Sequence, residues 1–107
     1  MARTLINIPA TAKRGEVIEI RATIGHPMET GFRPDDNGKT LPRNIIQTFT
    51  CKYNGEQVFS AELFSAISAN PYIAFYTTAT ESGNFVLNWE GDNGFTQTET
   101  VAITVTA

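Results

Sequence analysis

Apolar and polar residues alternate with period two along most of the chain, the pattern of half-buried β-strands. Between Glu16 and Ile24, the side chains of Ile18, Ile20, Ala22 and Ile24 fall on one face, and Glu19, Arg21 and Thr23 fall on the other. In the next strand Ile45, Phe49, Cys51 and Tyr53 share a face, opposite Ile46, Thr48, Thr50 and Lys52. Asn54-Gly55 follows, a pair that tolerates the positive φ angles of a type I′ turn. It predicts a hairpin into Glu56–Leu63, where Phe59, Ala61 and Leu63 align. Tyr72–Ala79 and Phe85–Glu90 are the next two strands. Gly91-Asp92-Asn93-Gly94 then predicts a second hairpin, into a last strand that sets Val101, Ile103 and Val105 against Thr100, Ala102, Thr104 and Thr106. A short opening strand at Arg3–Ile8 brings the set to about seven, and no segment sustains a helical period.

Short strands joined by tight turns at this density predict an all-β fold, an immunoglobulin-like antiparallel β-sandwich, with residues 1–107 forming a single domain. The Cys–Trp–Cys signature of antibody domains is absent, because the chain has one cysteine. That cysteine rules out an internal disulfide, and with a single His it leaves few ways to build a metal site.

One segment breaks the alternation. The connection from His26 to Arg43, HPMETGFRPDDNGKTLPR, holds the only His, one of the two Met and three of the five Pro. Connections of this length inside a compact fold are uncommon and usually functional or disordered. Pro27, Pro34 and Pro42 stiffen it, and Phe32 and Leu41 are its candidate anchors. The expectation is an ordered loop that builds a shaped contact surface.

Charge sharpens the picture only in its distribution. Residues 1–53 hold all eight Lys and Arg against five acids, whereas residues 54–107 hold six acids and no Lys or Arg. An acidic side that steers a basic partner is one reading, and chance is the other. No Lys/Arg cluster forms a phosphate-binding stripe, which argues against nucleic acid as a partner. No apolar run approaches the roughly 20 residues a spanning helix needs, so no membrane partner is expected. The first residues, MARTLINIPATAKRGE, lack the apolar core of a signal peptide. A cytoplasmic home is then the default, with export as the passenger of a signal-bearing partner left open.

Candidate chemistry is sparse. Cys51 alternates with Phe49 and Tyr53, which puts it in the core as an inert thiol rather than a nucleophile. A blue-copper centre needs two His, and this chain has one. Asp35-Asp36-Asn37-Gly38 lacks the alternating ligands of a calcium loop and reads as a plain turn. Tyr53, Tyr72, Tyr76 and Trp89 are candidates for a stacking platform, although Trp89 falls in line with the core residues Phe85 and Leu87. No catalytic site, cofactor or metal is expected.

Three stretches carry a family resemblance. KRGEVIEIRATIGHPMETGFR, LPRNIIQTFTCKYNG and SANPYIAFYTTATESGNF resemble the SoxZ family, over about residues 5–105 in one register. The resemblance implies an immunoglobulin-like, non-catalytic subunit of the sulfur-carrier complex in bacterial thiosulfate oxidation. It implies a heterodimer, or a higher oligomer, with a SoxY-like chain that carries sulfur intermediates on a Cys in a glycine-rich terminal arm. Transient contacts with other Sox enzymes are implied as well. So is a periplasmic location, reached by export with the signal-bearing partner. The terminus ETVAITVTA has neither Gly nor Cys, which fits the non-carrier subunit.

On that basis His26, Met28, Glu29, Arg33, Arg43, Asn70 and Tyr72 are the candidate partner-binding residues. Arg33 and Arg43 also suit a bound sulfonate, since guanidinium matches oxyanions well. Loop stabilisation is the competing role for each: Arg43 has Asp35 and Glu29 within reach in sequence, and His26 has backbone carbonyls. The rival reading from another class is a freestanding carbohydrate-binding module that uses Tyr72 and Tyr76. A small enzyme is the third.

Overall fold

The computed structural model describes residues 2–107. Eight strands form: β1 (Thr4–Asn7), β2 (Thr11–Lys13), β3 (Val17–Ile24), β4 (Ile46–Tyr53), β5 (Glu56–Glu62), β6 (Tyr72–Thr78), β7 (Gly83–Gly91) and β8 (Thr96–Thr106). They make a three-stranded sheet of order β1-β3-β6 and a five-stranded sheet of order β2-β8-β7-β4-β5. All pairings are antiparallel except β2 with β8, which run parallel. The β-sandwich is therefore as the alternation predicts, with one added strand. Strand β2 hides in the sequence because it has three residues and buries only Ala12.

The inner faces carry the predicted residues. Ile18, Ile20, Ala22 and Ile24 of β3 are buried, as are Phe49, Cys51, Tyr53, Phe85, Leu87, Trp89 and Ile103 from the facing sheet. Phe49 lies 5.1 Å from Trp89 between ring centroids, and Phe85 stacks on Tyr53 at 4.3 Å. Phe59 of β5 stacks on Phe75 of β6 at 4.3 Å, closing the side of the sandwich where both strands are sheet edges. Asn54 (φ 50°) and Gly55 (φ 84°) make the expected β4–β5 turn.

Strand β4 departs from simple alternation. Its register on β7 passes from Ile46 opposite Gly91 to Thr48 opposite Glu90, so Gln47 is an extra residue. A bulge of this kind shifts the facing of what precedes it. Ile46, expected on the outer face, is fully buried beside Ile45.

Candidate functional site

Topology gathers the seven candidate residues at one end of the sandwich, where β3 and β5 finish and β4 and β6 begin. Asn70 and His26 hold the chains there together. The Asn70 side-chain oxygen accepts the His26 N–H at 3.0 Å, and the Asn70 N–H donates to the His26 carbonyl at 2.8 Å. Asn70 has φ 55°, a left-handed conformation that Asn tolerates better than most residues.

His26 and Met28 turn inward, and both are buried. His26 Nδ1 accepts the Met28 N–H at 3.0 Å, so the neutral ring carries its proton on Nε2. The ring meets Phe95 edge-on at 5.0 Å. Burial lowers its pKa below the usual histidine value, with Asp92 opposing that shift. Met28 has φ 50°, and its sulfur accepts the Ile46 N–H at 3.2 Å. These two side chains shape the root of the loop from within.

Beyond that root the loop is a hairpin arm. Glu29 and Asn44 exchange backbone bonds of 2.9 and 2.8 Å, Leu41 N–H donates to the Arg33 carbonyl, and Asp35 N–H donates to that of Lys39. The Asp35 carboxylate caps the tip by accepting the N–H groups of Asn37 (2.8 Å) and Lys39 (3.0 Å), the plain turn expected of this sequence. The molecule measures 62 × 20 × 19 Å, while the 11 residues of β8 span only about 36 Å. Leu41 is partly covered, but Phe32, expected as an anchor, is 79% exposed.

Glu29 pairs with Arg33 at 2.6 Å, and this contact holds the Glu29 carboxyl below its usual range. Arg43 meets neither Asp35 nor Glu29. It donates from Nε and Nη2 to the two carboxylate oxygens of Asp92, each at 2.9 Å. Asp92 also accepts the Ile45 N–H and the Gln47 side-chain amide, and its carboxyl is held low, chiefly by Arg43. Both guanidinium groups thus already have carboxylate partners.

Between the arm and the end of β5 lies an open groove of about 840 Å³, lined by Phe32 and Arg43 of the arm, by Ile45 and Gln47, and by Glu62 and Phe64 at the end of β5. Phe64 is 64% exposed, and Ile67 follows it on the surface. Neither was a candidate from local motifs. Their signal in the sequence is the complete lack of charge from Leu63 to Thr80.

Tyr72 and Tyr76 stand on the outer face of β6 and are exposed, whereas Tyr53 and Trp89 are core residues. Register places Tyr72 opposite Thr23, which itself faces Leu5 of β1, and Tyr76 opposite Glu19. Arg21 bonds Glu19 at 2.8 Å on this same face.

Cys51 is fully buried in mid-strand, paired with Phe59 on one side and Leu87 on the other. Burial pushes its thiol up to about 12. Among the described residues no group of three or more His, Cys, Asp or Glu is placed to hold a metal ion. Nor is any helix long and apolar enough to cross a membrane.

The family of the sulphur oxidation protein SoxZ matches residues 6–102. No curated protein matches the sequence. Among solved structures, a superoxide reductase (neelaredoxin) from Ignicoccus hospitalis superposes with TM-score 0.76 at 15% identity, covering 97% of this chain and 81% of that one. The sulfur carrier protein SoxY from Chlorobium limicola f thiosulfatophilum superposes with TM-score 0.68 at 12% identity, covering 97% and 79%. A putative superoxide reductase from Thermotoga maritima gives 0.73 at 17%, covering 97% and 86%. At these identities the likenesses show a common fold.

Proposed function

We propose that this chain, which belongs to the SoxZ family of sulphur oxidation proteins, is the non-catalytic subunit that pairs with a SoxY-like carrier and helps present its Cys-bound sulfur intermediates to thiosulfate-oxidising enzymes. The observation that carries this reading is the position of Cys51. A sulfur carrier needs an accessible thiol that ionises readily and moves between enzymes. Cys51 is fully buried, hydrogen-bonded strands flank it on both sides, and burial raises its pKa to about 12. The chain's contribution is then a surface, and its exposed arm and groove are the parts shaped for one. The pair works in the periplasm, exported under the partner's signal.

Co-expression with a SoxY-like chain tests the pairing. The two are expected to elute together and to raise each other's melting temperature. Separate elution with unchanged melting temperatures would remove the heterodimer from consideration.

One observation favours a second reading. Tyr72 and Tyr76 are 60% and 67% exposed on one sheet face, as a carbohydrate-stacking platform requires. Calorimetric titration with glycans separates the two, because the scaffold reading predicts no heat of binding.

A further inference from the structure

The two outer faces of the sandwich differ in chemistry. The five-stranded sheet shows solvent Thr96, Thr98, Thr100 and Thr104 from β8, with Asn84 and Lys52 beside them. Hydroxyls, amides and charge are what a face in permanent contact with water carries. The other side is different. Its sheet face carries Tyr72 and Tyr76 beside Glu19 and Arg21, whose charges are bonded to each other at 2.8 Å. The run from Leu63 to Thr80 itself has no charged residue and holds four of the seven large hydrophobic side chains exposed among the described residues: Phe64, Ile67, Tyr72 and Tyr76. Phe32, the most exposed of the seven, faces the start of the run across the groove.

The strand edges point the same way. Sheet edges are normally blunted by Lys, Pro, bulges or brevity. Strands β1 and β2 are short, at four and three residues. Strand β6 is a seven-residue edge with no charge, whereas β5, also seven residues, is blunted by Glu56, Glu62 and a bulge at Val58. Charge depletion with enriched Tyr and Phe marks the centre of protein interfaces.

Area then decides what kind of occupant suffices. Phe32, Phe64, Tyr72 and Tyr76 are each 60–79% exposed. At about 150–250 Å² per aromatic side chain they offer roughly 500 Å², over half of the roughly 800 Å² that one side of a standard interface buries. A lone glycan uses a fraction of that. A folded protein face uses it all.

We propose that the uncharged run from Leu63 to Thr80, together with Phe32 of the arm, is the docking surface for a folded protein partner that presents a charge-poor apolar face. Resting on the function proposed above, this makes it the surface that receives the SoxY-like carrier. The arm extends the contact past the sheet edge, and the groove takes an apolar side chain of the partner between Phe32 and Phe64. The Thr-rich face of the five-stranded sheet stays in water.

The test measures the affinity of purified full-length chains for a SoxY-like chain by titration calorimetry, with light scattering of each chain alone. Phe64→Asp and Tyr72→Asp should each weaken pairing by about tenfold or more, and Thr100→Asp on the opposite face should leave it unchanged. The milder Phe64→Ser and Tyr72→Ser accompany them, so that a variant losing its fold by circular dichroism does not remove the test. Face variants that pair as tightly as the parent, while the parent pairs, overturn this surface and leave the proposed function standing. A parent that does not pair at all overturns both. A parent that self-associates through Phe64 and Tyr72, with carrier pairing untouched by their substitution, assigns the face to a second copy and overturns the inference.

Discussion

Arg43 grips Asp92 through two hydrogen bonds of 2.9 Å, joining the root of the arm to the β7–β8 turn across 49 positions of sequence. It also joins the half of the chain that holds every Lys and Arg to the half that has none. Asp92 does more than neutralise the guanidinium, since it also accepts the Ile45 N–H and the Gln47 side-chain amide. Asp92→Ala should therefore lower the melting temperature more than Arg43→Ala, because it strands three partners rather than one. The Asp92 carboxyl is held below its ordinary value, chiefly by Arg43. Its stabilisation is then fully present above the unfolded pKa and is lost as pH falls through the folded one. Thermal melts of both variants between pH 7 and pH 3 check the order and the sign.

His26 gives a second pH dependence at a milder pH. Its buried ring accepts the Met28 N–H on Nδ1, and a protonated ring has no lone pair there to accept it. With the folded pKa depressed, stability is intact above about pH 6.5, the unfolded value, and falls as acid drives protonation of the ring. His26→Asn keeps an acceptor and does not titrate. Its stability should stay flat between about pH 7 and pH 5, where the parent declines, as denaturant titrations at each pH would register.

The Cys51 thiol should be protonated and shielded at neutral pH. Labelling by a thiol reagent is expected to be slow in the native protein and fast in denaturant. Cys51→Ala should cost about 1 kcal/mol, and Cys51→Ser about 1–3 kcal/mol for burying an unpartnered hydroxyl. Both should pair with the carrier as the parent does. Urea melts and the pairing assay measure the two effects separately.

Gly91 sits against the β4 bulge. A Cβ built there would fall within contact distance of the Ile45 carbonyl oxygen and 2.8 Å from the Ile46 Cα. Backbone cannot yield as a side-chain tip does, so Gly91→Ala should destabilise by about 1–3 kcal/mol, the usual cost of overpacking. Gly94→Ala meets no neighbour within 4 Å and carries only the strain of its φ of 73°. Equilibrium unfolding of the pair separates contact from conformation.

The strands with one wet and one dry face were legible from alternation: β3 and β8 show it almost residue by residue. The Asn54-Gly55 turn was equally plain, because positive φ leaves few choices. Ile46 was not, since the facing of a residue before a bulge depends on the partner strand. The arm has no apolar face of its own, so its sequence shows only punctuation, and its pairing becomes visible with Glu29 opposite Asn44. Phe32 escaped for the same reason: hydrophobicity says that a side chain gains from burial, but not by which chain. Of the candidate residues, the resemblance found one end of the fold. Which of them face water was fixed by tertiary contacts, with His26 and Met28 turned in and Tyr72 turned out.

On the proposed function, this chain acts through its surface and its thiol takes no part. Intact-mass measurement of both subunits during thiosulfate turnover, in a reconstituted mixture with the carrier and its enzymes, tests it most directly. Sulfur adducts are expected on the carrier alone, with this chain at its unmodified mass throughout. An adduct on Cys51 that rises and falls with turnover would contradict it.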